Sequence, residues 1–303
     1  MSCRALMTTS LSESHSGVPP EVRSVSNILL PLDGSEVSLG AMPLARHLVE
    51  LYKATPHLIY AGEQAIEPGQ RMEQLGLGWR ELPGAVVDQS SGSAPEIILG
   101  LAQRLAHCLI IMCTHTGKKK EPDRFGSVTE AVLAGNPDRI ILVAPEGIYE
   151  RFPIRTLLLC HDGTPSATVA TNPAAELAHL SGADMIAVLV APPCTECPEE
   201  VGSLPAPQYL DQPQHEWPNW AHEFSMRMLA LGSPPASLKF ELVVSGGQPG
   251  SEIVHLARTR KADMIVMAVS SDWRARRHNV VRIVTNNSGC PVFLVRSGLG
   301  VGS

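Results

Sequence analysis

The chain repeats itself, and no other feature of it restricts the fold as much. Thr156-Leu157-Leu158-Leu159-Cys160-His161-Asp162-Gly163-Thr164 follows the pattern of Ile28-Leu29-Leu30-Pro31-Leu32-Asp33-Gly34-Ser35. Pro173-Ala174-Ala175-Glu176-Leu177-Ala178 corresponds to Pro43-Leu44-Ala45-Arg46-His47-Leu48, and Gly250-Ser251-Glu252-Ile253-Val254 to the helix start between Gly92 and Ile98. Ala262 to Met267 corresponds to His107 to Met112, and Cys290 to Val295 to the last apolar run of the first half, Ile140 to Val143. Five matches in one order make a tandem duplication. Each half needs a core of its own, so two domains are expected within the 303 residues.

Read in order, the first half alternates strand-like and helix-like segments. Asn27–Leu32, His57–Ala61, Ala85–Val87, Leu109–Met112 and Ile140–Val143 are apolar runs of strand length. Between them, Ala41, Leu44, Ala45, Leu48 and Tyr52 share one helical face, as do Ile97, Ile98, Leu101, Ala102 and Leu105 behind a start at Ser91–Pro95. This alternation requires right-handed βαβ units and parallel strands, hence two tandem doubly wound five-stranded sheets. The expected boundaries are a flexible tail over 1–24, a first domain over 25–146, a linker at Pro145–Pro153 and a second domain over 153–297. The second domain differs by a proline-rich insert, 192–237, which ends in a predicted helix from Trp220 to Leu231.

Composition narrows the class of function. Aromatic residues are 4% of the chain, and the aliphatic residues that replace them suit helices packed on a parallel sheet. A net charge of −6 argues against general nucleic-acid binding. No apolar run is long enough for a membrane span, so a membrane role is not expected. Met1–Ser24 lacks an apolar stretch, so a signal peptide is not expected either. Cys108, Cys113, Cys160 and Cys290 lie in or beside apolar strands, and seven cysteines without scaffold spacing point to a reducing cytoplasm.

The segment Ile110–Leu133 carries the chemistry. A buried-strand run ends at Cys113-Thr114-His115-Thr116-Gly117, a basic loop follows, and Gly126-Ser127 opens a segment with Val128, Ala131 and Val132 at helical spacing. Strand, glycine loop and helix N-terminus form a layout for cradling phosphate, because backbone N–H groups and the helix dipole both face an anion. The same residues allow a plainer reading, in which Ser127 and Glu130 form a capping box.

These residues resemble the universal stress protein family in its tandem two-domain form. The resemblance runs over about residues 26–297. Its carriers are the strand-end Asp33-Gly34-Ser35, the glycine-led helix start, the Leu109–Met112 strand with its glycine loop, Gly126-Ser127, and the closing Cys290-Pro291-Val292 strand. It implies a five-stranded fold of the adenine nucleotide α-hydrolase-like class, with ATP-binding members carrying Gly-x2-Gly-x9-Gly-Ser/Thr. This chain departs from that motif: Thr114 stands at the first glycine, Gly117 at the second, and only eight residues, Lys118–Phe125, precede Gly126-Ser127. The nucleotide site implied is Asp33, Thr114, His115, Gly117, Gly126, Ser127 and Val128, with ATP or another adenine nucleotide as ligand and Mg2+ beside it. Asp33 would face the adenosine part; a residue after a strand is also a turn former, but its pairing with Gly34 and its repeat at Asp162 favour the site. In the second half, Asp162-Gly163 persists, but Ala268–Trp273 replaces the glycine loop and His278-Asn279-Val280 replaces Gly-Ser-Val, so that half reads as degenerate.

Other groups point less far. Lys118, Lys119, Lys120 and Arg124 can neutralise phosphate or simply be solvated, and Arg274, Arg276, Arg277 and His278 form a similar run. Cys194 and Cys197 form a lone C-x-x-C without the four ligands of a structural zinc site, so no metal is expected. His115 lacks a nucleophile at triad spacing. Three functions follow: a stress-response module that binds an adenine nucleotide and acts through an unidentified protein partner; a scaffold of the same fold without nucleotide; and, last, a slow ATP hydrolase with no assigned catalytic residue. Edge-strand pairing in the family implies an intramolecular pseudo-dimer or a homodimer.

Overall fold

The structure, a computed structural model, describes residues 24–33, 35–61, 82–90, 92–114, 125–135, 137–143, 153–191, 202–204, 220, 222–227, 240–269 and 276–296. It divides between Phe152 and Pro153 into two compact units.

In the first unit, β1 (Asn27–Leu32) is followed by the short helix α1 (Glu36–Leu39) and by α2 (Met42–Tyr52). Then come β2 (Thr55–Ala61), β3 (Val86–Ser90), α3 (Ala94–Arg104), β4 (Cys108–Cys113), α4 (Ser127–Ala134) and β5 (Arg139–Val143). The strands lie in the order β3-β2-β1-β4-β5, and every pair is parallel. The apolar runs form the middle of the sheet because helices cover both faces. Leu29, Leu30, Leu109, Ile111, Ile141 and Leu142 are buried there. Helix α2 places Leu44, Ala45, Leu48 and Tyr52 inward, as its spacing predicts.

The second unit repeats this plan. Its elements are β6 (Thr156–His161), a 3-10 segment (Pro165–Ala170), α5 (Thr171–Ser181), β7 (Asp184–Ala191) and β8 (Phe240–Gly246). They continue with α6 (Pro249–Thr259), β9 (Met264–Val269), α7 (Arg276–Asn287) and β10 (Val292–Arg296). The order β8-β7-β6-β9-β10 is again wholly parallel. Even the register repeats: Leu29 pairs with Ile110 in the first unit, and their counterparts Leu158 and Ile265 pair in the second. In both units the connection reverses direction beside the first strand, between β1 and β4 and between β6 and β9. Open parallel sheets place ligands in the crevice at that switch point, beyond the carboxyl ends of the strands.

The predicted tail lies almost wholly outside the described residues. So does most of the insert. The insert's helix is described only at Trp220 and over 222–227. Among the described residues no helix is long and apolar enough to cross a membrane.

Candidate functional site

The first unit opens a cleft at the switch point, of about 630 Å³ including its mouth. Asp33, Cys113, Gly126, Val128, Ser38 and Thr129 line it, over an apolar floor that includes Met112 and Ile98. Three element ends meet there: β1 stops just before Asp33, β4 stops at Cys113, and α4 starts just after its N-cap Gly126.

Asp33 does two things at once. Its Oδ1 accepts the Ser35 N–H at 2.9 Å and the Ser35 hydroxyl at 2.6 Å. The Ser35 hydroxyl oxygen in turn accepts the Ser38 N–H at 3.1 Å, capping α1. The aspartate therefore forms the turn and also reaches the cleft. Burial pushes its carboxyl up, but the hydrogen bonds from Ser35 and Ser38 outweigh that and hold it below the usual carboxylate range. The group is ionised at neutral pH.

The opposite wall is the first turn of α4. Gly126 is its N-cap, in extended backbone, and no side chain caps the helix. The capping-box reading is corrected here: Ser127 lies inside the first turn, one residue too late to cap it. Ser127 is exposed, Val128 lines the cleft, and Thr129 hydrogen-bonds the carbonyl oxygens of Cys113 at 3.2 Å and Thr114 at 3.4 Å. Those bonds tie the helix start to the end of β4.

Two expectations change. Thr114 stands at the first glycine of the motif and is expected in the phosphate loop. It is instead 1% exposed and continues the strand, donating its N–H to Val143 O at 3.0 Å, and it is absent from the positive-φ residues. It does not line the cleft. Gly126 does line it, but its N–H is given to Thr114 O at 2.8 Å, so that donor faces the sheet and not a phosphate. His115 and Gly117 lie outside the described residues, as do Lys118–Lys120 and Arg124.

Cys113 brings a thiol to the cleft. Burial pushes its thiol up to about 12, with the Asp33 charge adding to the effect, so it is a neutral S–H at neutral pH. Among the described residues no cluster of three or more His, Cys, Asp or Glu could hold a metal; Cys194 and Cys197 are outside them.

Sequence reasoning missed Ser38, Thr129 and Ile98 as lining residues. The signal for the first was available, since Ser35 and Ser38 have cap spacing directly after the strand-end aspartate. Also missed was a second cleft at the matching place in the second unit, lined by Asp162, His161, Met267 and Val281. There Asp162 Oδ1 accepts from the Thr164 N–H at 3.1 Å and its hydroxyl at 2.5 Å, the same turn as at Asp33.

Comparison with known proteins agrees with this fold. The universal stress protein family model matches residues 153–296. No curated protein matches. A universal stress protein from Archaeoglobus fulgidus DSM 4304 is similar over 91% of this chain and 100% of its own, at 14% identity and TM-score 0.65. A functionally unknown protein from Pseudomonas aeruginosa PAO1 is similar over 91% of this chain and 94% of its own, at 13% identity and TM-score 0.61. An Archaeoglobus fulgidus universal stress protein in complex with dAMP aligns with 48% of this chain and 98% of its own, at 18% identity and TM-score 0.33. The family match falls on the half whose motif is the more altered, and the first half repeats that half's strand order and register. Residues 153–296 match the universal stress protein family, and the first half repeats the fold of that matched half.

Proposed function

We propose that the first half binds an adenine nucleotide, ATP or a close relative, and that the bound state tunes association with a protein partner in a stress response. One observation carries the reading: an ionised Asp33 and the uncapped first turn of α4 face one cleft at the switch point of the sheet. A carboxylate suits the hydroxyl groups of the adenosine part. The first-turn N–H groups and the helix dipole suit phosphate. Ser127 and Val128 supply those donors, with the Ser127 hydroxyl beside them. Gly126 supplies close approach, and His115 and Gly117 belong to the same proposed site. Mg2+ would accompany a triphosphate and offset its charge.

The test is calorimetry with ATP on the full chain. Asp33→Ala should weaken binding about tenfold or more, as expected for loss of a charge-assisted hydrogen bond. Asp162→Ala should leave it unchanged. Loss of binding on the Asp162 change alone would place the nucleotide in the other half. A second reading, a scaffold without nucleotide, draws on the Gly126 N–H already engaged by the Thr114 carbonyl oxygen. No ATP binding at millimolar concentration would favour it.

A further inference from the structure

The second cleft differs from the first residue by residue. Where the first unit has Ser38, Cys113 and Thr129, the matching positions in the second are Ala167, Ala268 and Val281. Val188, Ile253 and Met267 extend the same apolar wall. With its mouth, which is open to solvent, the cleft spans about 710 Å³.

Its rim is held from outside by the insert. Leu204 donates its N–H to Gly163 O at 2.8 Å. Gly163 has φ +82°, and a Cβ there would stand 2.2 Å from Leu204 O, so the contact requires glycine. His161 occupies the position of Leu32. Its Nδ1 accepts the Gly163 N–H at 2.9 Å, and its ring meets Phe224 edge-on at 5.0 Å, with Trp220 stacked on Phe224 at 5.2 Å. The described parts of the insert thus brace the imidazole and the turn that carries Asp162.

We propose that this cleft binds an uncharged, largely apolar small molecule whose hydroxyl or amide donor meets the Asp162 carboxylate at the rim. A phosphate or carboxylate ligand is disfavoured twice. It would lose its hydration against alanine and valine side chains, and it would approach Asp162 with like charge. The inference does not depend on nucleotide binding in the first half.

Isotope-labelled methionine methyl groups give the test without a mutation, since Met267 lines this cleft and Met112 the other. Titration of the full chain with octanol should move the Met267 methyl resonance saturably and leave Met112 in place. Octanoate should bind at least about tenfold more weakly than octanol, and ATP should not move Met267. Ala268→Leu, which fills the wall, should weaken octanol about tenfold, with thermal unfolding as the check on its fold. The proposal is overturned if Met267 stays unmoved, if octanoate binds as well as octanol, or if ATP displaces octanol from Met267.

Discussion

Gly126 gives its main-chain N–H to the carbonyl oxygen of Thr114 across 2.8 Å. This bond closes the long connection between β4 and α4 onto the sheet, and it sets where an anion can be received. The donors left for a phosphate begin one residue later, with Ser127. Ser127→Pro isolates that donor. Proline at the first helical position is tolerated, and Gly126 already has the extended backbone, φ −60° and ψ 150°, that a residue before proline needs. The expected outcome is unchanged thermal stability with ATP affinity down about tenfold by calorimetry. Unchanged affinity would move the phosphates away from this helix.

Thr114→Gly is expected to destabilise the first unit and to leave nucleotide affinity no tighter. The residue is buried in strand-like backbone, so glycine removes packing and adds unfolded-state entropy without opening the cleft. A loss of about 1 kcal/mol or more in denaturant unfolding is predicted. Tighter ATP binding in this variant would restore Thr114 to the phosphate loop.

Lys53 and Gly182 hold the same repeat position, the C-cap of α2 and of α5. Both are left-handed, at φ 51° and 69°. The first unit carries there a strain that the second avoids. Lys53→Gly should stabilise the first unit by roughly 1 kcal/mol, with Lys53→Ala giving no such gain. Equal effects of the two substitutions in chemical denaturation would show that the gain is not conformational.

The buried thiols make the fold sensitive to alkali. Burial raises Cys113 and Cys108 from the ordinary 9.0 to about 12 and Cys290 to about 11. Above pH 9 the unfolded chain loses these protons first, so stability is fully present below that pH and falls as pH rises towards 12. The slope approaches about 1.4 kcal/mol per pH unit for each thiol. Cys113→Ala should flatten the fall in unfolding free energy between pH 9 and 12. An unaltered slope would mean that Cys113 ionises at its ordinary value in the folded chain.

The two α/β halves were legible in the sequence because burial on both faces writes itself as uninterrupted apolar runs, and helical packing as a spacing of three and four. Ile28–Leu32 and Leu157–Cys160 show their place in the sheet directly, and the ordered repeat implies that both halves share one topology. The place of Asp33 at the end of β1 was legible as well, since Asp-Gly follows an apolar run there and again at Asp162. Which donors remain for a ligand was not legible. Gly126 and Thr114 are twelve positions apart, and only the closing of β4 onto α4 brings that N–H to that carbonyl. The second cleft was hidden for the same reason. Ala167, Ala268 and Val281 are ordinary core residues one at a time, and they become the wall of a cleft only where three elements meet. The insert is similar: its composition looks like loose surface chain, yet Leu204 and Phe224 pack on Gly163 and His161 because tertiary approach, not local periodicity, decides which backbone is covered.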